Sequence, residues 1–173
     1  MPTSYQAPKR GDKNKPHSHS QSTDMIVPHE AATVRKLLDQ KGKDLFSIRP
    51  QDTIKTAVTI LRDKRIGALM VTDATGALQG ILSERDIVRK LADTPGQTLP
   101  QSVAENMTSD VQTCALDDPL VTVIKRMNEG RFRHMPVLED GVLCGMISIG
   151  DLVSYRLREL EHEALQLKQM IVG

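Results

Sequence analysis

The chain has 173 residues, 39% of them hydrophobic but only 2% aromatic and none Trp, so any core is built from Val, Ile, Leu, Met and Ala. With 23 basic against 22 acidic residues the formal net charge is +1, which excludes a global field that would gather nucleic acid or an anionic membrane. No apolar run reaches the ~18 residues of a membrane span and the N-terminus lacks an apolar signal region, so a cytoplasmic location is expected.

Residues 1–30 read as a disordered tail. Met1 to Asp24 is rich in Pro, Ser, Lys, Gln and His, and nothing in it recurs at a helical or strand period. His17 and His19 are a conceivable transition-metal pair, but two histidines on such a segment are more often solvated, and no metal site is expected.

The rest of the chain repeats itself. DLFSIRPQD at 44–52 aligns with DVQTCALDD at 110–118, an offset of 66. Ile54, Ala57, Val58 and Leu61 then fall on Leu120, Val123, Ile124 and Met127, both sets with the i, i+3, i+4, i+7 spacing of one apolar helix face. Asp52 and Asp118 precede these faces, where a short carboxylate serves as an N-cap. After one residue is lost in the second copy, GILSERD at 80–86 aligns with GMISIGD at 145–151. Each copy thus reads as a lead-in helix, a short strand, a helix, two strands about a Gly turn and a closing helix. The paired strands are Ala68 to Thr72 with Leu78 to Leu82, and Met135 to Leu138 with Leu143 to Ser148. The expected fold is α/β (α+β), two β-α-β-β-α repeats packed sheet to sheet. Repeat 1 covers 31–98 and repeat 2 covers 99–160, because one small sheet alone buries too little surface.

Two kinds of polar residue interrupt this pattern. Ser83 with Asp86, and Ser148 with Asp151, stand where a strand meets a helix. The spacing suits a capping box, and equally a carboxylate that accepts two ribose hydroxyls beside a phosphate at the helix N-terminus. Arg85 lies inside the first such segment and offers a fork for phosphate. A basic cluster follows each central helix: Lys64 and Arg65 in one copy, Arg131, Arg133 and His134 in the other. Cations at helix C-termini complement the dipole, which accounts for Lys64, but they account less well for Arg131 and Arg133 together, and phosphate contact by at least one arginine is expected. His134 is either a packed core histidine or a member of that site. Cys114 and Cys144 lack metal or redox spacing and read as buried thiols. No P-loop, dinucleotide fingerprint, HExxH or supported nucleophile is found, so no enzyme activity is expected.

The last element, residues 153–173, carries Val153, Leu157, Leu160, Ala164, Leu167 and Ile171 at alternating spacings of four and three. Such a seam either folds back on its own module or packs against a second copy, and a homodimer is the favoured expectation.

The tandem phrases RIGALMV at 65–71, GILSERD at 80–86, RFRHMPV at 131–137 and GMISIGD at 145–151 resemble the CBS domain pair, or Bateman module, over roughly Thr33 to Leu160. The resemblance implies a pseudo-two-fold regulatory module whose clefts bind adenosine derivatives. AMP is the foremost candidate, with ADP, ATP, NAD(H) and S-adenosylmethionine as others, no cofactor being required. It further implies that Ser47, Ile48, Thr113 and Cys114 at the first strands line the adenine pocket, with Ala68 and Pro136 on the paired strands. An unidentified regulated partner follows from the same resemblance. A ligand-free pair acting as an interaction platform is the alternative. A third arrangement, a pair inserted in a catalytic barrel as in IMP dehydrogenase, finds no room in this chain.

Overall fold

The computed structural model describes residues 32–42 and 44–172. The tail with His17 and His19 lies outside the described residues. Among the described residues eleven elements follow one another: α1 (Val34–Lys41), β1 (Ser47–Ile48), α2 (Ile54–Lys64), β2 (Ala68–Thr72), β3 (Leu78–Ser83), α3 (Glu84–Asp93), β4 (Cys114–Ala115), α4 (Leu120–Gly130), β5 (His134–Glu139), β6 (Val142–Ser148) and α5 (Ile149–Val172).

The repeat is visible in the sheets. Each has three strands, β1-β2-β3 and β4-β5-β6, with the short first strand parallel to the central one and the third antiparallel. Even the irregularities recur: a register shift falls between Val71 and Thr72 in one sheet and between Val137 and Leu138 in the other. Helices α2 and α4 both end on an arginine in the left-handed region, Arg65 at φ 54° and Arg131 at φ 55°. The mixed α+β fold and its duplication are therefore as the sequence predicts.

Two cores form, one per sheet, and the alternation of strand side chains explains how. Leu69, Val71 and Leu82 join Ile48, Ile54, Ala57, Leu61 and Ile87 in the first. Ala68 and Met70, on the opposite face of β2, are also fully buried, so that sheet is covered on both sides. The two sheets meet at the starts of β2 and β5, where a Cβ placed on Gly67 would lie 3.2 Å from the His134 ring.

The lead-in segments are exchanged. Val34, Leu37 and Leu38 of α1 belong to the second core, with Val123, Met127, Met135, Val137 and Ile147. The backbone agrees: Val34 and Arg35 N–H groups donate to Asp118 and Leu116 carbonyls. Conversely, Val103, from the lead-in of the second repeat, completes the first core. That segment is a series of turns between Thr94 and Met107 and not the expected second lead-in helix; Pro95, Gly96 and Pro100 break it. Asp52 and Asp118 also differ from expectation. They accept from Arg49 and Ala115 N–H groups at 3.0 and 3.1 Å, while Thr53 and Pro119 occupy the N-cap positions.

Among the described residues no helix is long and apolar enough to cross a membrane, and no group of three His, Cys, Asp or Glu side chains is placed to hold a metal.

Candidate functional site

A cavity of about 450 Å³ opens where the N-terminus of α3 faces the segment leading into β4 and the turn between α4 and β5. Such a volume suits a small organic ligand. Its walls include Ser83, Arg85, Asp86 and Arg89 from α3 and its cap, Thr108, Asp110, Val111 and Gln112 from the β4 lead-in, and Arg131, Phe132, Arg133 and His134 from the α4–β5 turn.

Each wall has a local cause. Ser83 ends β3 and caps α3: its Oγ accepts from the Asp86 N–H at 3.4 Å and donates to Asp86 Oδ2 at 2.6 Å, while the Ser83 N–H donates to the same oxygen at 3.1 Å. The capping box is therefore formed. It engages Oδ2, and among the described residues no hydrogen bond reaches Oδ1 of this cavity-lining carboxylate. The second copy builds the same box from Ser148 and Asp151. Arg85 donates from Nη1 to the Arg131 carbonyl at 3.2 Å, which ties α3 to the far wall. The left-handed Arg131 turns the chain sharply after α4, so that Arg131, Phe132, Arg133 and His134 all reach the cavity over four residues. Thr108 is held by reciprocal backbone bonds with Ile81 at 2.9 and 3.0 Å, and this pairing brings Asp110, Val111 and Gln112 to the rim.

Four arginines against Glu84, Asp86 and Asp110 leave the wall with a net positive charge of one, 4 − 3. Guanidinium forks brought by α3 and by the α4–β5 turn to one small cavity are suited to receive an anion such as phosphate. His134 is half-buried; burial lowers its pKa below the ordinary 6.5, and nearby Lys41, Arg133 and Arg85 push the same way against the opposing pull of Asp151. The ring is therefore neutral at pH 7.

Of the residues marked from sequence, Ser83, Arg85, Asp86, Arg131, Arg133 and His134 are brought together here. Others stand elsewhere. Lys64 lies 5.7 Å from the centroid of the Phe46 ring, and the Arg65 N–H closes α2 onto Leu61 and Arg62 carbonyls. Ser47 is exposed on β1 and pairs with Met70. Ile48, Ala68, Cys114 and Pro136 are buried body residues. Burial pushes the Cys114 thiol up to about 12. Thr113, just before β4, gives its carbonyl to Arg126. Asp151 and Ser148 sit at the start of α5, where Lys41 also bonds Asp151. The β4 lead-in and Phe132 were not marked, because their place depends on the Thr108–Ile81 pairing and the Arg131 turn and on no motif of their own.

The CBS domain profile matches the chain twice, at residues 41–93 and 102–158. The mitochondrial CBS domain-containing protein CBSX3 of Arabidopsis thaliana is 30% identical over 152 residues, 83% of this chain and 74% of that protein. The crystal structure of the CBS-domain containing protein ATU1752 from Agrobacterium tumefaciens superposes with a TM-score of 0.71 at 42% identity, over 72% of this chain and 99% of that one. The CBS domain pair of protein MJ0100, in complex with 5′-methylthioadenosine and S-adenosyl-L-methionine, superposes with a TM-score of 0.66 at 25% identity, over 75% and 98% of the two chains.

Proposed function

The chain belongs to the CBS domain family, and from that premise we propose that it is a regulatory module binding an adenosine-containing ligand, an adenine nucleotide above all, in the cavity beside Asp86. One observation carries this reading: a carboxylate whose capping bonds among the described residues engage one oxygen, Oδ2, and arginines from two different repeats face the same 450 Å³ space. Ribose hydroxyls are donors and suit Asp86 Oδ1; phosphate oxygens are acceptors and suit Arg85, Arg131 and Arg133. The adenosine compounds held by the MJ0100 pair support the ligand class.

Signalling follows from the walls belonging to different repeats. A ligand bridging α3 and the α4–β5 turn favours the conformation in which both walls are in place, and a regulated partner reads that shift. A second copy of the chain is part of the same reading, supported by the exposed apolar stripe of α5.

The test is a thermal-shift series with AMP, ADP, ATP, NAD, S-adenosyl-L-methionine, 5′-methylthioadenosine and adenosine. A ligand at 100 times its Kd stabilises the fold by about 2.7 kcal/mol. Phosphorylated compounds should outrank adenosine, since the arginines lose their partner without phosphate. No shift with any of the seven at millimolar concentration would sink the reading and leave the pair as an interaction platform.

A further inference from the structure

The two Ser-x-x-Asp carboxylates are built alike but are not in the same state. Asp151 Oδ2 accepts from the Ser148 N–H at 2.8 Å and Oγ at 2.7 Å, as Asp86 Oδ2 accepts from Ser83. It also receives the Lys41 ammonium at 2.6 Å, and the same Nζ donates to the Met146 carbonyl at 2.9 Å. Among the described residues no cation is bonded to Asp86. The Lys41 and Asp151 side chains are only 33% and 23% exposed.

Lys41 is not a loose surface lysine. It ends α1, whose Val34, Leu37 and Leu38 are buried in the second core. Leu38 lies so close to β6 that a Cβ on Gly145 would stand 2.8 Å from its Cδ1. Arg35 adds bonds to Asp117 and Glu139 on the same repeat. The helix is thus clamped to repeat 2 along its length and delivers its last side chain to the carboxylate. The residue 66 positions on from Lys41 is Met107, an apolar side chain packed on the first core, so the equivalent position brings no cation to the first repeat.

We propose, resting on the adenosine-ligand reading above, that Lys41 is a built-in occupant of the Asp151 position, the counterpart in repeat 2 of Asp86, and limits each chain to one ligand, bound on the Asp86 side. A neutral ribose hydroxyl that displaced the ammonium would exchange a charge-assisted bond for a weaker one. It would also leave a partly shielded cation without its partner. Removing the ammonium returns the Asp151 carboxylate to the condition of Asp86.

Isothermal titration of the full chain with AMP, ATP, NAD and S-adenosyl-L-methionine decides the matter. Wild type should take up one ligand per chain. Lys41→Met and Lys41→Gln should take up two, whereas Lys41→Arg, which keeps the cation, should stay at one. Two sites in wild type overturn the proposal without any variant, and one site in folded Lys41→Met and Lys41→Gln overturns it too. Either result leaves the Asp86 reading intact. Binding by Lys41→Met alone, with none in wild type, would support the Lys41 role and sink the Asp86 reading. No binding by any of these proteins overturns both.

Discussion

Arg65 and Arg131 each hold a left-handed backbone conformation, at φ 54° and 55°, that an L side chain adopts at some cost. Glycine takes that conformation freely, so Arg131→Gly should leave the melting temperature of the unliganded protein unchanged or slightly raised. The same change removes a guanidinium from the cavity wall. Affinity for AMP or ATP should fall by about tenfold, equivalent to ~1.4 kcal/mol, while affinity for adenosine should hold. A fall in both stability and adenosine affinity would make Arg131 structural only. Asp86 has a comparable double role. Asp86→Asn keeps the size and much of the capping capacity, and should lower ligand affinity by about 1.5–3 kcal/mol, the worth of hydrogen bonds to a charged group. His134 gives a pH signature. Burial first, then Lys41, Arg133 and Arg85, hold its folded pKa below the ordinary 6.5 against the pull of Asp151. Between that folded value and 6.5 the unfolded chain binds a proton that the folded chain does not. Its contribution is complete above about pH 6.5 and is lost as pH falls toward the folded pKa. Urea titrations from pH 7.5 to 5 should show stability dropping in wild type and a flatter profile in His134→Gln. Equal slopes would show that the ring does not set the dependence.

At the level of elements, the packing of α1 shows what a sequence carries and what it leaves open. The apolar spacing marks a buried face on α2 and α4, and Ile54, Ala57, Leu61, Leu120, Val123 and Met127 are indeed buried. Val58 and Ile124, the third members of each stripe, are 37% and 38% exposed, because the apolar arc of each helix is wider than the face it buries. Strands were legible to a residue or so: β2 spans Ala68–Thr72 as read, and β3 runs on to Ser83. Which core a helix joins was not legible, since amphipathicity says that a face is buried and not against what. The site divides in the same way. Ser83, Asp86 and the arginines carry their own chemistry, whereas Thr108 and Gln112 arrive through backbone pairing alone. The α1 exchange has a direct test. Leu38→Ala removes a buried side chain from the second core and should cost about 2–5 kcal/mol. Hydrogen exchange should rise in β5 and β6, in the repeat that α1 does not precede, before it rises in β2 and β3. Loss of protection in β2 and β3 first would contradict the exchanged packing.

For the whole molecule the decisive surface is α5. Its buried residues, Leu152 and Tyr155, lie in the first two turns, where the helix meets the second core. From 164 to 171 every residue is exposed, so this stretch is not folded back on its own module. Val153, Leu157, Leu160, Leu167 and Ile171 nevertheless continue the apolar spacing at 53%, 56%, 45%, 59% and 84% exposure. Val58, Val88, Leu91, Val121 and Ile124 add exposed apolar side chains on α2, α3 and α4. Scattered apolar surface residues are ordinary, but a periodic stripe on a 24-residue helix is not. The distal turns are exposed, and an isolated helical stretch of only about two turns is marginal in water. A two-fold partner would bury the stripe and stabilise those turns in one step, and the two-fold dimer is the commonest closed assembly. Light scattering at micromolar concentration should therefore give twice the chain mass. Leu160→Glu combined with Leu167→Glu should shift the protein toward monomer, because each places a charge in the seam. The Asp86 cavity is lined within one chain, so the monomeric variant should bind ligand with unchanged stoichiometry. A wild-type chain that stays monomeric at high micromolar concentration would rule out the seam as a self-association surface, and a variant that loses ligand together with the dimer would show that the cavity needs the second copy.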